Sequence, residues 1–154
     1  MTKAYPVPEN GPEPRDIMRV FIGYDERQPL SYNVLSQSIM DQTTKPVHIT
    51  PLILRTLPIK KQGLTPFTYS RFLVPFLCDF SGKALFLDSD MMLRADISEL
   101  FSLMEPYKAA HVVKNEKKFE WASVILYDCA SFKNQVLTPV YIESASGLHN
   151  MSWL

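Results

Sequence analysis

The triplet Asp88-Ser89-Asp90 puts two carboxylates one residue apart, directly after the apolar run Lys83 to Leu87. Side chains alternate along an extended backbone, so Asp88 and Asp90 are expected to point the same way and Ser89 away. Two carboxylates converging on one small volume repel each other unless a cation relieves them, and an all-oxygen ligand set suits Mg2+ or Mn2+. A further acid, Asp25, also follows a strand-like run, Met18 to Tyr24. Ligands of α/β sheets gather beyond the carboxyl ends of the strands, so Asp25 and the Asp88/Asp90 pair are expected to share one crevice. The plain alternative is an acidic turn beside a helix cap, which accounts for most isolated D-x-D triplets.

Those carboxylates need strands to carry them and helices to cover the strands. M-R-V-F-I-G-Y at Met18 to Tyr24 is almost continuously apolar, as expected of a strand buried on both faces in a parallel sheet. Pro29, then Leu30, Val34, Leu35 and Ser38-Ile39 at helical spacing, predict a helix from about Gln28 to Asp41. Val47 to Leu54 reads as a second strand, with Pro51 marking a bulge or an edge position. Leu57 to Leu64 reads as a loop, and Thr65-Pro66 as the start of a helix. On that helix Tyr69, Phe72, Leu73, Phe76 and Leu77 share one face, Arg71 and Pro75 lie opposite, and Pro75 bends the axis. Lys83 to Leu87 is the third strand, Asp96 caps a short helix, and Ala109 to Val113 is the fourth strand. Phe119 to Tyr127 is the fifth, and Ser131 opens a further helix.

Length and composition set the frame. A chain of 154 residues with 46% hydrophobic content buries one sizeable core. Lys plus Arg and Asp plus Glu both total 16, so no whole-chain field draws nucleic acid or an anionic membrane. Cys78 and Cys129 lack C-x-x-C spacing and sit among apolar residues, which predicts buried free thiols and a reducing, cytoplasmic setting. The longest strongly apolar stretch, Phe72 to Cys78, is far shorter than the roughly 20 residues of a membrane span. Pro6, Pro8, Pro12 and Pro14 make residues 1–16 a flexible extended arm, with a single domain over 17–154.

The strand K-A-L-F-L, the D-x-D triplet, the apolar pair Met91-Met92 and D-I-S-E-L-F at Asp96 to Phe101 together resemble the core motif of glycosyltransferase family 8. I-G-Y-D-E at Ile22 to Glu26, Y-S-R-F-L-V-P-F-L at Tyr69 to Leu77 and W-A-S-V-I-L-Y-D-C at Trp121 to Cys129 resemble further segments of that family, in its order. The resemblance implies a GT-A, Rossmann-like α/β sheet with flanking helices, and transfer from a nucleotide-diphosphate sugar, a UDP-sugar foremost, with retention at the anomeric carbon. It implies that Asp25 reads the base beside Gly23 and Tyr24, and that Arg71 contacts the diphosphate or donor sugar. Ser89 and Ser123 complete the donor site, while Asp88 and Asp90 hold Mn2+ or Mg2+. No catalytic residue, acceptor or oligomeric state follows from it.

Departures from the family pattern are equally legible. Arg27 stands where many members carry a small polar residue, and Trp121-Ala122-Ser123 replaces the usual Asn-Ser/Ala-Gly. The family's late His-x-x-Gly-x-x-Lys motif has no counterpart, so the chain is expected to be the donor-binding part of a longer protein, with His149 the nearest stand-in for a third metal ligand. Two rivals stay open: a fragment that binds a sugar nucleotide without turning it over, and a haloacid-dehalogenase-type phosphatase with an Asp nucleophile.

Overall fold

The computed structural model describes residues 17–154, and the arm expected over residues 1–16 lies outside the described residues. Five strands form one mixed sheet in the order β2-β1-β3-β5-β4, where β1 is Met18–Gly23, β2 Val47–Leu52, β3 Lys83–Leu87, β4 Ala110–Val112 and β5 Val124–Asp128. β1 runs parallel to both β2 and β3, while β5 is antiparallel to β3 and β4. β2 is an edge strand, which is why it tolerates Pro51 and its missing N–H.

Alternation along the strands builds two cores. Met18, Val20 and Ile22 of β1, Leu85 and Leu87 of β3 and Leu126 of β5 pack under α1 (Pro29–Gln42) and α3 (Ser98–Ser102). Phe21, Ala84, Phe86, Ile125 and Tyr127 face the other way, under α2 (Val74–Leu77), the 3-10 turn before it and α4 (Pro139–Ser144). Helices thus cover both faces, as a mostly buried sheet requires. Among the described residues no helix is long and apolar enough to cross a membrane.

Several expectations are redrawn. The segment after Thr65 is not one bent helix: a 3-10 turn over Ser70–Leu73 leads into a four-residue α2 that starts at Val74 and carries Pro75 in its first turn, where a residue without an N–H costs nothing. Arg71 is therefore buried with Phe72, Leu73 and Val74 instead of lying on an opposite face. On α1 the buried residues are Leu35, Ser36, Ser38 and Ile39, whereas Leu30 and Val34 are exposed. Residues 118–123 form a 3-10 turn, so β5 begins only at Val124. Ser131 precedes a 3-10 turn, not an α-helix. The Cys78 and Cys129 thiols are buried and unbridged.

Candidate donor site

Strand order decides where the site lies. The chain leaves β1 to build β2 on one side, and later returns to place β3 on the other. The crevice at a topological switch point therefore opens beyond the carboxyl ends of β1 and β3. Ile22 pairs with Leu87, so Gly23-Tyr24-Asp25 and Asp88-Ser89-Asp90 leave the sheet side by side.

Asp88 extends the alternation that turns Ala84 and Phe86 toward α2, and there it meets Arg71. Arg71 Nη2 stands 3.0 Å from Asp88 Oδ1, with Arg71 7% and Asp88 17% exposed in their side chains. The other guanidinium donors are spent on backbone: Nη1 donates to the Ala122 carbonyl at 2.7 Å and Nε to the Phe67 carbonyl at 3.2 Å. The guanidinium carbon lies 4.9 Å from the Phe86 ring centre and 5.6 Å from that of Phe67. Burial works against the Arg71 charge, and the Asp88 carboxylate is the main force sustaining it. Burial likewise pushes the Asp88 carboxyl above the usual carboxylate range, opposed by Arg71 and the Ser123 hydroxyl and reinforced by the charge of Asp90. The Asp88 N–H donates to the Ser123 carbonyl at 2.9 Å, which holds the end of β3 against the residue before β5.

The chain bends at Ser89 and Asp90, so strand alternation stops at Asp88: Ser89 is buried and Asp90 is exposed. The two acids are still near enough for the charge of Asp90 to act on both Asp88 and Arg71. Asp88 Oδ1 is buried yet receives no well-aligned hydrogen bond, since Arg71 faces it without aiming a hydrogen at it. Two neighbouring carboxylates, one partly buried and one open to solvent, offer the oxygen ligands a hard divalent cation takes. Among the described residues no group of three or more His, Cys, Asp and Glu side chains converges on one point. His149 instead packs edge-on against Tyr69 and Phe72, 5.6 and 5.1 Å between ring centres, and burial holds its pKa down.

The Asp25 side forms a separate wall. A cleft of about 760 Å3 is lined by Tyr24, Asp25 and Arg27 and by the loop after β2, but not by Asp88, Asp90, Arg71 or Ser123. Phe67 packs against the end of β1 on one side and approaches the Arg71 guanidinium on the other. A Cβ on Gly23 would fall 2.4 Å from the Phe67 ring, so only glycine lets that ring press against the end of β1 and reach the guanidinium of Arg71. Asp25 is buried beneath Arg27, whose hydrogen bonds hold the carboxylate below its ordinary pKa. A larger cleft of about 980 Å3 opens at the opposite end of the sheet, lined by Met18, Arg19 and Lys83, and contains none of the expected site residues.

Phe67, the Ala122 carbonyl and Tyr127 were not identified from the sequence, although the Tyr127 hydroxyl donates to the Arg71 carbonyl at 3.2 Å. The i,i+4 spacing of Phe67 and Arg71 was the one available signal. Nothing local points to Ala122 or Tyr127, which act from a 3-10 turn and the strand after it, more than fifty residues away.

Known proteins share the fold, and one relative and one family share the sequence pattern as a whole. The structure is similar to the apo WbbM bifunctional glycosyltransferase (TM-score 0.63, 15% identity, 82% of this chain and 34% of that one). It is also similar to the glycosyltransferase GlyE of Streptococcus pneumoniae TIGR4 (TM-score 0.58, 15% identity, 88% and 42%) and to mouse xyloside xylosyltransferase 1 (TM-score 0.53, 9% identity, 82% and 73%). The sheet is thus of the GT-A type. Protein CDI of Arabidopsis thaliana is 34% identical over 174 residues, covering 94% of this chain, and the chain spans 66% of that relative's length. The family described as "Glycosyl transferase family 8" matches residues 25–141, which contain Asp25, Arg71, Asp88, Asp90 and Ser123, and the chain belongs to that family.

Proposed function

We propose that the protein transfers a hexosyl group from a nucleotide-diphosphate sugar to an acceptor with the help of a divalent cation, Mn2+ or Mg2+, and with retention at the anomeric carbon. The observation that carries this reading is the Asp88 carboxylate at the switch point, partly buried against Arg71, with Asp90 exposed beside it. A bound cation would neutralise charge on the departing diphosphate. Asp88 and Asp90 would hold it, and Arg71, locked by two carbonyls and two rings, keeps Asp88 oriented and its field pointed at the same spot. Ser123 fixes the Asp88 backbone. Family likeness supports a UDP-sugar and the retaining outcome. Buried unbridged thiols support a reducing compartment such as the cytoplasm.

Titration calorimetry with UDP and Mn2+ tests the reading. Binding should be metal-dependent, and Asp90→Ala should weaken it about tenfold or more, equivalent to about 1.4 kcal/mol. No heat and no shift in melting temperature at millimolar ligand would sink it. Donor hydrolysis followed in the same samples separates turnover from binding alone, and release of phosphate from a phosphomonoester would point to the phosphatase instead.

A further inference from the structure

The cleft of about 980 Å3 at the amino ends of β1 and β3 is lined by four basic side chains, Arg19, Lys45, His48 and Lys83, and among the described residues by no Asp or Glu. Acids and bases are equal in number over the chain, so this sorting of charge is local. Arg19 and His48 stand opposite each other across β1 and β2, which puts their side chains on one face of the sheet. Lys45 lies just before β2 and Lys83 opens β3, both exposed.

Arg19 is held as a fixed donor. Its Nε donates to the Lys83 carbonyl at 3.1 Å, and its Nη2 donates to the same carbonyl at 3.0 Å and to that of Ser81. Gly82, between those carbonyls, has φ +61°, and a Cβ there would stand 2.9 Å from Nη2, so glycine suits both the turn and the approach of the guanidinium. Nη1 bonds to no described residue, and no described carboxylate pairs with Arg19, Lys45 or Lys83. A tie between β1 and the turn before β3 explains the carbonyl bonds. It leaves unexplained why further bases gather around the same guanidinium with no counter-charge, an arrangement that an anion relieves.

We propose that this cleft is a second anion site, separate from the donor crevice, and that its ligand is a phosphate ester. The Arg19 guanidinium and the Lys45 and Lys83 ammonium groups meet the phosphate, and Met18 and Phe101, on the same lining, meet the carbon skeleton beside it. A planar guanidinium already fixed by carbonyls matches two phosphate oxygens, while the lysines add charge without fixed direction. β1 is six residues long, which separates this cleft from the Asp88/Asp90 end of the sheet by about 20 Å, too far for one diphosphate to occupy both. A soluble phosphomonoester and the headgroup of a phosphate-bearing lipid offer the same group.

The test is two-dimensional NMR of the isotope-labelled full chain in EDTA at constant ionic strength, which withholds the divalent cation the donor reading needs. Glycerol phosphate is the soluble probe, and vesicles of phosphatidylcholine with or without phosphatidic acid, followed by co-sedimentation, are the lipid probe. The amide signals of Gly82 and His48 should move with glycerol phosphate while that of Gly23 stays still, or the chain should pellet only with phosphatidic acid. The first result alone names a soluble ester, the second alone names a headgroup, and both together show that the phosphate itself is read. Lys45→Gln combined with Lys83→Gln, both at the surface, should weaken the binding about tenfold. Arg19→Gln should weaken it at least as much, and the lysine pair decides should Arg19→Gln fail to fold. A response to neither probe, shifts at Gly23 in place of Gly82, the same shifts from chloride, pelleting without phosphatidic acid, or a lysine double variant that binds like the wild type would each overturn the inference. UDP binding in the presence of Mn2+ is measured apart from all of these, so the donor reading stands or falls separately.

Discussion

A buried arginine is costly unless its donors and its charge are met, and Arg71 meets both with the Phe67 and Ala122 carbonyls, two ring faces and Asp88. Removing the guanidinium would strand a half-buried carboxylate and two carbonyls. Arg71→Ala is therefore expected to lose about 3–5 kcal/mol of stability in urea unfolding. Arg71→Ala combined with Asp88→Asn should lose less than the two single changes summed, by about 1–3 kcal/mol. Strict additivity would show that the pair is not coupled. The importance of Arg71 was legible from its motif, but its burial was not. Helical spacing placed it opposite Phe72 and Leu73, whereas the tighter 3-10 turn and the neighbouring strands enclose it on all sides.

Elements around the site are shaped by what it needs. The sequence reading carried the alternating pattern of β5 back to Phe119. The chain instead turns as 3-10 over Lys118–Ser123, which leaves the Ala122 carbonyl for Arg71 and the Ser123 carbonyl for the Asp88 N–H. A strand extended through these residues would spend both carbonyls on its ladder. Ala122 is buried with Ile125 and Tyr127, which strand alternation running back to Phe119 would put on the opposite face. At the other wall, the end of β1 and the turn that precedes Ser70–Leu73 meet at Gly23 and Phe67. Gly23→Ala should overpack that junction and lower stability by about 1–3 kcal/mol, as read from thermal unfolding. Phe67→Leu in the same chain should recover part of the loss; no recovery would place the strain elsewhere.

Across the whole molecule, α1 and α3, which cover the same face of the sheet, are tied by a link between distant segments. Asp96 Oδ2 accepts from the Thr44 N–H at 3.0 Å and the Thr44 hydroxyl at 2.7 Å, and Oδ1 accepts from the Ser98 N–H at 2.8 Å. These bonds, the Thr44 hydroxyl foremost, hold the Asp96 carboxyl below its ordinary value. A carboxyl depressed in the folded state adds stability above its unfolded pKa and loses it as pH falls toward the folded value. Melting temperature should therefore fall as pH drops below about 4, and Asp96→Asn should flatten that acid limb. An unchanged slope would count against the link. By itself the sequence determined the strands, their two-faced burial, the acids that follow β1 and β3 and the family they belong to, because period-two apolar runs and short motifs are local properties. Only the tertiary structure decided that Asp25 faces Arg27, that Asp88 faces Arg71 and that Phe67 packs between Gly23 and Arg71. Those outcomes depend on which charge reaches which carboxylate first in three dimensions, and on how backbone carbonyls left outside the sheet are shared.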